Sequence, residues 1–194
     1  MVGIIDYKTG NLKSLQNALY RVGADYIISS DTERLSKCSH LIMPGVGSAG
    51  WAMENLKECR LEEWIPGIKI PVLGICLGMQ LMCSYSEEDQ TRCLGIFSNR
   101  VSKMRGEGKV PHVGWNSIYM LEGDLYKNLS ENSYLYFVHS YSADINENTI
   151  SRCNYNGEFS ASIQSGNFIG CQFHPEKSGD TGEAIIRNFL NMKI

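Results

Sequence analysis

A glycine-flanked cysteine constrains the fold of this chain more than any other feature of its sequence. The apolar residues 70–73 predict a buried strand, residues 79–85 predict the beginning of a helix, and Gly74-Ile75-Cys76-Leu77-Gly78 joins the two. Glycines on both sides of Cys76 permit a tight, strained turn that carries the thiol to the end of the strand. The positive end of the following helix favours thiolate over thiol. The segment therefore predicts a nucleophile elbow, although a small packing cysteine beside a turn fits the same residues.

Strand and helix patterns alternate through the first half of the chain. Short apolar runs predict strands at residues 2–6, 26–28 and 40–43. Apolar residues at helical spacing predict helices at residues 11–22, 32–38, 51–59 and 61–68. Such alternation is typical of a mostly parallel sheet that is covered by helices on both faces, and sites in such sheets form at the carboxyl ends of the strands.

The second half of the chain is richer in strand patterns. A polar run at residues 84–92 predicts a surface loop, and the strand patterns that follow it lie at residues 95–104, 114–121, 134–141, 151–155 and 159–164. Asn156-Gly157 between the last two predicts a hairpin turn, and the strand patterns in the middle of the chain are antiparallel in character. A final helix is predicted over residues 182–192. With 194 residues and 43% apolar content, the chain can bury one core, and we expect a single domain over residues 1–194.

Composition excludes several classes of function. A formal charge of −3 and a sequence pI near 5.8 argue against a nucleic-acid partner, because phosphate binding needs a basic surface. No apolar run approaches the roughly 20 residues that span a bilayer, and no basic leader precedes the first strand, so we expect no membrane association and a cytoplasmic location. The seven cysteines form no C-x-x-C pair. They fit free thiols in a reducing compartment better than disulfides or a metal site, and we expect no metal and no cofactor.

A segment near the end of the chain supplies a candidate base. The apolar run 169–173 leads to His174, Pro175 stops the strand ladder, and Glu176 follows. With the strand period of two, Glu176 can accept the Nδ1 proton of His174 and orient Nε2 toward a nucleophile. A surface turn is the alternative for this segment taken alone. Of the four histidines, only His174 has a carboxylate at this spacing, so Cys76, His174 and Glu176 are the predicted catalytic triad.

The glycine-rich loop 44–50 is a candidate oxyanion site. Its glycines free the backbone to turn N–H groups toward a negative charge. It lacks the lysine of a P-loop and the spacing of a dinucleotide site, which argues against a nucleotide, while an ordinary strand-to-helix loop stays open. The predicted oxyanion donors are the backbone N–H of Leu77, directly after the nucleophile, and an N–H of Gly45-Val46-Gly47.

These motifs, taken together and in order, resemble those of a known family. The segments that carry the resemblance are Pro44–Gly47, Gly74–Gln80, Pro111–Asn116, Tyr136–Tyr141 and Phe173–Ser178. They are similar to the class I (triad) glutamine amidotransferases and, more closely, to the glutaminase subunits of imidazole glycerol phosphate synthase. The resemblance implies a three-layer α/β fold with a flavodoxin-like core and a smaller antiparallel sheet.

The resemblance also implies a reaction and its residues. Cys76 would attack the side-chain amide of glutamine and His174 would protonate the departing ammonia. The ammonia would pass to a (β/α)8 barrel synthase subunit of histidine biosynthesis, with which the chain would form a heterodimer. Val46 and Leu77 would form the oxyanion hole. Glutamine would be held by Gly47, Gln80, Glu88, Ser140 and Tyr141. The synthase would contact Asn11, Pro111, His112, Trp115 and Lys177.

Three alternative functions stay open on the sequence. Paralogous glutaminase subunits that supply sugar amidotransferases of surface-polysaccharide synthesis share every catalytic motif. A non-catalytic docking protein on the same scaffold predicts a broken triad, which this chain does not have. A cysteine peptidase with a related elbow predicts cleavage of peptides.

Overall fold

The structure of the protein, a computed structural model, describes residues 1–193. Within this range the α-helices are α1 (Leu12–Arg21), α2 (Thr32–Leu35), α3 (Ala49–Glu58), α4 (Leu77–Met82) and α5 (Gly179–Asn191). The strands of the first half are β1 (Val2–Ile5), β2 (Tyr26–Ser29), β3 (His40–Met43), β4 (Val72–Ile75), β5 (Tyr85–Ser86) and β6 (Thr91–Arg92). Those of the second half are β7 (Arg100–Lys103), β8 (His112–Ile118), β9 (Ser133–His139), β10 (Tyr141–Ala143), β11 (Thr149–Asn154), β12 (Glu158–Ser165) and β13 (Phe168–Cys171).

One large sheet lies at the centre of the molecule, with the strand order β11-β12-β13-β4-β3-β1-β2. The strands from β2 to β13 are parallel, and β12 and β11 extend the sheet as antiparallel strands at one edge. The mostly parallel sheet expected from the sequence is therefore confirmed. Gly74 of β4 pairs with Met43 of β3 on one side and with Gly170 of β13 on the other. This register places the segments that follow β3, β4 and β13 together at one edge of the sheet.

Helices cover both faces of this sheet and give the molecule three layers. The short strands β1, β4 and β13 are buried along their whole length, because apolar residues point to both faces. In β1, Ile4 packs with the apolar sides of α1 and α5, whereas the adjacent Ile5 packs with those of α3 and α4. The alternating side chains of each strand thus feed two separate cores, one on each side of the sheet.

Two smaller sheets stand beside the central one. The order of the four-stranded sheet is β10-β7-β5-β6, and β8 pairs with β9 as a separate antiparallel ribbon. The four-stranded sheet is mixed, since β5 and β7 run parallel, so the expected purely antiparallel character holds for only part of this region. The run 84–92, expected to be a loop, contributes β5 and β6 to this sheet.

Two further local predictions differ from the structure. Residues 61–68 do not form the predicted α-helix but only a 3₁₀ turn at Ile65–Gly67. Pro66 has no N–H to continue an α-helical ladder, and Gly67 disfavours helix, so one turn forms and stops. The strand predicted from residue 95 begins only at Arg100, because the N–H groups of Gly95 and Ile96 donate to the carbonyls of Cys83 and Met82 at the end of α4 rather than to a neighbouring strand.

Candidate active site

The cysteine segment forms a strained elbow between β4 and α4. Cys76 has φ 52° and ψ −108°, a conformation that side chains rarely adopt outside sites where the surroundings enforce it. Its N–H donates to Cys171 O at 2.8 Å, and its carbonyl accepts from Gln80 N at 3.1 Å, so both sides of the turn are fixed. A Cβ on Gly78 would lie 1.9 Å from Met43 O. Glycine is therefore required here, because α4 packs directly on the backbone of β3.

The loop between β3 and α3 contacts this elbow. A Cβ on Gly45 would lie 2.9 Å from both Gly78 N and Leu77 Cβ, so the glycine allows loop and elbow to touch. Val46 and Leu77, the predicted oxyanion residues, line one cavity together with Cys76. Gly47 has φ 105°, which only glycine adopts without strain.

The His-Pro-Glu segment places an imidazole and a carboxylate in direct contact. His174 Nδ1 lies 2.8 Å from Glu176 Oε1, and both side chains are almost fully buried. The sequence-based reason for this contact was wrong, because β13 ends at Cys171 and Pro175–Lys177 forms a 3₁₀ turn rather than extended strand. The turn is locked by Ser178, whose Oγ donates to His174 O at 2.6 Å and accepts from Tyr136 N at 2.9 Å.

The environment of His174 favours the imidazolium form. Burial by itself lowers the pKa of His174, but the nearby Cys76 sulfur and the contact with Glu176 together raise it to about 10. Within residues 1–193, His174 Nε2 has no partner that meets geometric hydrogen-bond criteria, so it is available to a reacting group beside Cys76. The arrangement places an imidazolium beside the Cys76 sulfur, and this group can deliver a proton from Nε2.

A cavity of about 280 Å³ opens over the nucleophile. This is near the lower end of small-molecule pockets, roughly 300 Å³, and it suits a small metabolite. His174 lines the cavity beside Cys76. The structure also brings to this cavity all of the residues expected to hold glutamine, namely Gly47, Gln80, Glu88, Ser140 and Tyr141.

Glu88 is held in place at the rim of the cavity. Its Oε2 accepts from Ala49 N, at the beginning of α3, at 2.9 Å. Burial raises the pKa of Glu88, the N–H of Ala49 opposes this, and the nearby Asp89 adds to it. The carboxylate is thus a fixed acceptor beside the cavity and not the solvated surface group that the polar run 84–92 suggested.

Residues expected at a partner surface divide into exposed and buried ones. Trp115 is 55% exposed and lies near Tyr136, whose ring also faces Lys177 Nζ at 5.9 Å. Asn11 and Pro111 are exposed as well. The ring of His112 differs from the expectation, because it is buried and stacked on another aromatic ring, so it does not present a surface to a partner.

One residue against the nucleophile was missed by sequence reasoning. Gln172 is fully buried, and its Nε2 lies 3.5 Å from Cys76 Sγ. A glutamine just before Phe173-His174 carries no motif that marks it as functional. The only signal was a polar residue in an otherwise apolar run.

The described residues offer neither a metal centre nor a membrane span. Across residues 1–193, no group of three or more His, Cys, Asp or Glu side chains is placed to hold a metal ion. No helix in the same range has the length and apolar content that crossing a lipid bilayer requires.

Comparison with known proteins identifies the family. The family model "Glutamine amidotransferase class-I" matches residues 3–192. The imidazole glycerol phosphate synthase subunit HisH of Bacteroides fragilis strain YCH46 is 46% identical, over 98% of this chain and 99% of the relative. Subunit HisH 2 of Legionella pneumophila strain Paris is 42% identical, over 100% and 98%.

Solved structures share the fold at lower identity. The crystal structure of a glutamine amidotransferase has a TM-score of 0.76 and 18% identity, covering 97% of this chain and 96% of that one. PurLQS from Thermotoga maritima has a TM-score of 0.70 and 18% identity, covering 98% and 97%. Because that family model matches residues 3–192, this chain belongs to the class-I glutamine amidotransferase family.

Proposed function

We propose that this chain is the glutaminase subunit of an imidazole glycerol phosphate synthase, acting as one glutamine amidotransferase domain over residues 1–194. Cys76 Sγ attacks the side-chain amide carbon of glutamine, and His174 protonates the nitrogen that leaves as ammonia. Water then hydrolyses the thioester, which releases glutamate and regenerates the thiolate. Glu176 holds the imidazole of His174 in the orientation that this proton transfer needs.

The observation that carries this proposal is the convergence of three segments on one cavity. The elbow supplies Cys76, the turn after β13 supplies His174, and the loop after β3 supplies Val46. Backbone N–H groups of Val46 and Leu77 are the proposed donors to the oxyanion of the tetrahedral intermediate. Loss of one such donor typically costs about 3 kcal/mol of transition-state stabilisation.

The substrate side of the cavity fits a free amino acid. Glu88 is a fixed carboxylate that can accept from an α-ammonium group, while Gly47, Gln80, Ser140 and Tyr141 surround the remaining volume. We propose that these five residues hold glutamine. Its side-chain amide would then point toward Cys76.

The partner we propose is a (β/α)8 barrel synthase subunit that receives the ammonia in histidine biosynthesis. The relatives at 46% and 42% identity carry the name of a subunit of that synthase. Asn11, Pro111, Trp115 and Lys177 would form the heterodimer contact around the mouth of the cavity. We place the complex in the cytoplasm, without a nucleic-acid or membrane partner.

The test is glutamate release from glutamine by the purified chain. It is measured alone, with the barrel synthase of the same genome, and with that synthase plus its ribotide ligand. We expect a rate that rises by orders of magnitude with the liganded synthase, a complete loss in Cys76→Ala, and an unchanged rate in the matched variant Cys59→Ala, which lies outside the cavity. Hydrolysis retained in Cys76→Ala would refute the nucleophile assignment.

The same assay separates the partner from the chemistry. If the synthase leaves the rate unchanged while Cys76 still forms a thioester with glutamine, the glutaminase reaction stands and the proposed partner is wrong. A sugar amidotransferase of surface-polysaccharide synthesis would then be the next partner to assay.

A further inference from the structure

A buried pair of glutamines adjoins the nucleophile. Gln172 Nε2 lies 3.5 Å from Cys76 Sγ, within the range of an N–H···S hydrogen bond. The oxygen of the same amide group, Oε1, lies 2.9 Å from Gln80 Nε2. Gln80 is one of the residues proposed to hold glutamine, whereas Gln172 does not line the cavity.

The orientation of both amides follows from a carbonyl that can only accept. Gln80 Nε2 lies 2.9 Å from the main-chain oxygen of Tyr141, so the Gln80 atom at this position is the nitrogen. Its second N–H points to Gln172, whose facing atom is therefore the oxygen. The nitrogen of Gln172 is left to face Cys76 Sγ. Reversing either amide would set two acceptors or two donors against each other.

A second donor anchors the same carbonyl. His139 Nδ1 lies 2.8 Å from Tyr141 O, and His139 Nε2 lies 3.1 Å from His112 Nδ1. Because Tyr141 O accepts, His139 carries its proton on Nδ1 and accepts from His112 on Nε2. Burial lowers the pKa of His139 to about 3 and that of His112 to about 4, so both rings are neutral near neutral pH. The carbonyl that orients Gln80 is thus held by a neutral chain of donors.

The main-chain oxygen of Val138 lies near the Cys76 sulfur and disfavours its thiolate form, so a hydrogen-bond donor is needed to stabilise that form. Val138 O lies 3.7 Å from Sγ, where it can accept from the thiol but opposes a thiolate. The N–H of Gln172 favours the thiolate, because a hydrogen bond to a charged form stabilises that form. Among residues 1–193, the amide of Gln172 is the side-chain amide that donates to this sulfur.

We propose that Gln172 is a catalytic residue whose Nε2–H donates to Cys76 Sγ and stabilises the thiolate, and that Gln80 is the positioning residue that keeps this donor turned toward the sulfur. The same N–H can donate to the sulfur again at the end of the reaction, when water releases glutamate and the thiolate re-forms. This role deepens the proposed function and rests on Cys76 being its nucleophile.

The test measures thiolate reactivity in the full chain, without glutamine or partner. Iodoacetamide alkylates thiolates, and peptide mass spectrometry reports its rate at Cys76 as a function of pH. Gln172→Met keeps the length of the side chain and removes the donor, while Gln164→Met makes the same change in a half-buried glutamine of β12 outside the site. We expect alkylation in Gln172→Met to slow about tenfold near neutral pH, with the midpoint of the profile about one pH unit higher.

A second variant removes the group that orients the donor without touching Gln172. Gln80→Met adds no charge and removes the N–H groups that bind Tyr141 O and Gln172 Oε1, so the amide of Gln172 is no longer held with its nitrogen toward the sulfur. We expect an upward shift of the alkylation profile relative to Gln164→Met, and this variant decides the question if Gln172→Met does not fold.

Two outcomes overturn the proposal. One is a folded Gln172→Met with the same profile as Gln164→Met, and the other is an unshifted profile in Gln80→Met. Because the reagent needs no glutamine, either outcome removes the role of Gln172 but leaves Cys76 as the nucleophile, as long as the unaltered chain hydrolyses glutamine. Failure of the unaltered chain to hydrolyse glutamine with its partner would instead remove the proposed function.

Discussion

The pKa values of two buried histidines beside the cavity are shifted in opposite directions, and the structure gives a separate cause for each shift. His139 has a carbonyl and another neutral ring as partners, so burial dominates and lowers its pKa. His174 has a sulfur that can carry charge and a carboxylate, which outweigh burial and raise its pKa. Residue type and burial alone would not distinguish the two rings, and the charge of the partners decides which one can act as an acid.

The neutral pair predicts loss of stability in mild acid. His112 and His139 have pKa values lowered from 6.5 to about 4 and about 3, so below pH 6.5 the unfolded chain binds protons that the folded chain does not. We therefore expect the free energy of unfolding to fall as pH drops from 6.5 toward 4, with each histidine contributing up to about 1.4 kcal/mol per pH unit. Urea unfolding at a series of pH values measures this slope.

His174 does not contribute to that window. Its pKa is raised, so below pH 6.5 it is protonated in the folded and unfolded chains alike, and its stabilisation is lost only as pH rises toward 10. Imidazole resonances of His112 and His139 that titrate with midpoints near 6.5 in the folded chain would contradict the prediction.

At the scale of elements, the site depends on how closely α4 approaches the sheet. Gly78 at the beginning of α4 lies against Met43 O of β3, and Gly170 of β13 lies against Met79, where a Cβ would come within 2.4 Å of Met79 Cγ. These contacts set the height of the elbow above β4. They also support a strained backbone at Cys76, since the packing of α4 on both neighbouring strands leaves the turn little freedom.

Adding one methyl group at this contact has a predictable cost. Gly78→Ala places a Cβ 1.9 Å from Met43 O, so the helix must move, and we expect a loss of about 1–3 kcal/mol in the free energy of unfolding and a lower rate of glutamate release. Gly67→Ala is the matched control, because no heavy atom lies within 4 Å of its Cβ, and its effect should stay within about 0.5 kcal/mol. Equal urea midpoints for the two variants would refute this account of the elbow.

The sequence predicts an element well where a single local pattern determines it, and less well where local preferences conflict. The strand before Cys76, its elbow and the central parallel sheet follow from apolar runs and glycine spacing. The helix predicted at 61–68 was wrong because Pro66 and Gly67 outweigh the apolar spacing of Leu61, Ile65 and Ile68. The donor to Cys76 was not predictable, since the side chain of Gln172 is oriented by Gln80, which is distant in the sequence.

At the scale of the whole molecule, the exposed apolar side chains near the active site lie at the carboxyl edge of the sheet. Val46 follows β3 and is 42% exposed, while Val113 and Trp115 on β8 are 57% and 55% exposed. Lys177 belongs to the same turn as Glu176, and Tyr136 connects it to Trp115. The triad and these surface residues therefore share one edge, so a partner docked there would cover the cavity and receive its product.

This arrangement predicts that Trp115 is an anchor of the heterodimer. Trp115→Ala removes a large exposed aromatic ring and should weaken binding of the synthase subunit by at least about tenfold, because interface aromatics often contribute roughly 2 kcal/mol or more. Tyr20→Ala is the control. Its ring is 83% exposed but lies near the end of α1, and α1 begins at the carboxyl edge and runs back toward the opposite edge.

Titration calorimetry with the purified synthase measures both variants, and urea unfolding should find both as stable as the unaltered chain, since surface substitutions rarely exceed about 0.5 kcal/mol. Trp115→Ala should also reduce stimulation of glutamate release at synthase concentrations below the new dissociation constant, and recover it above that concentration. Such recovery follows if the ring contributes to docking and takes no part in the reaction at Cys76. Unchanged affinity in Trp115→Ala, or equal losses in both variants, would move the heterodimer contact away from the carboxyl edge of the sheet.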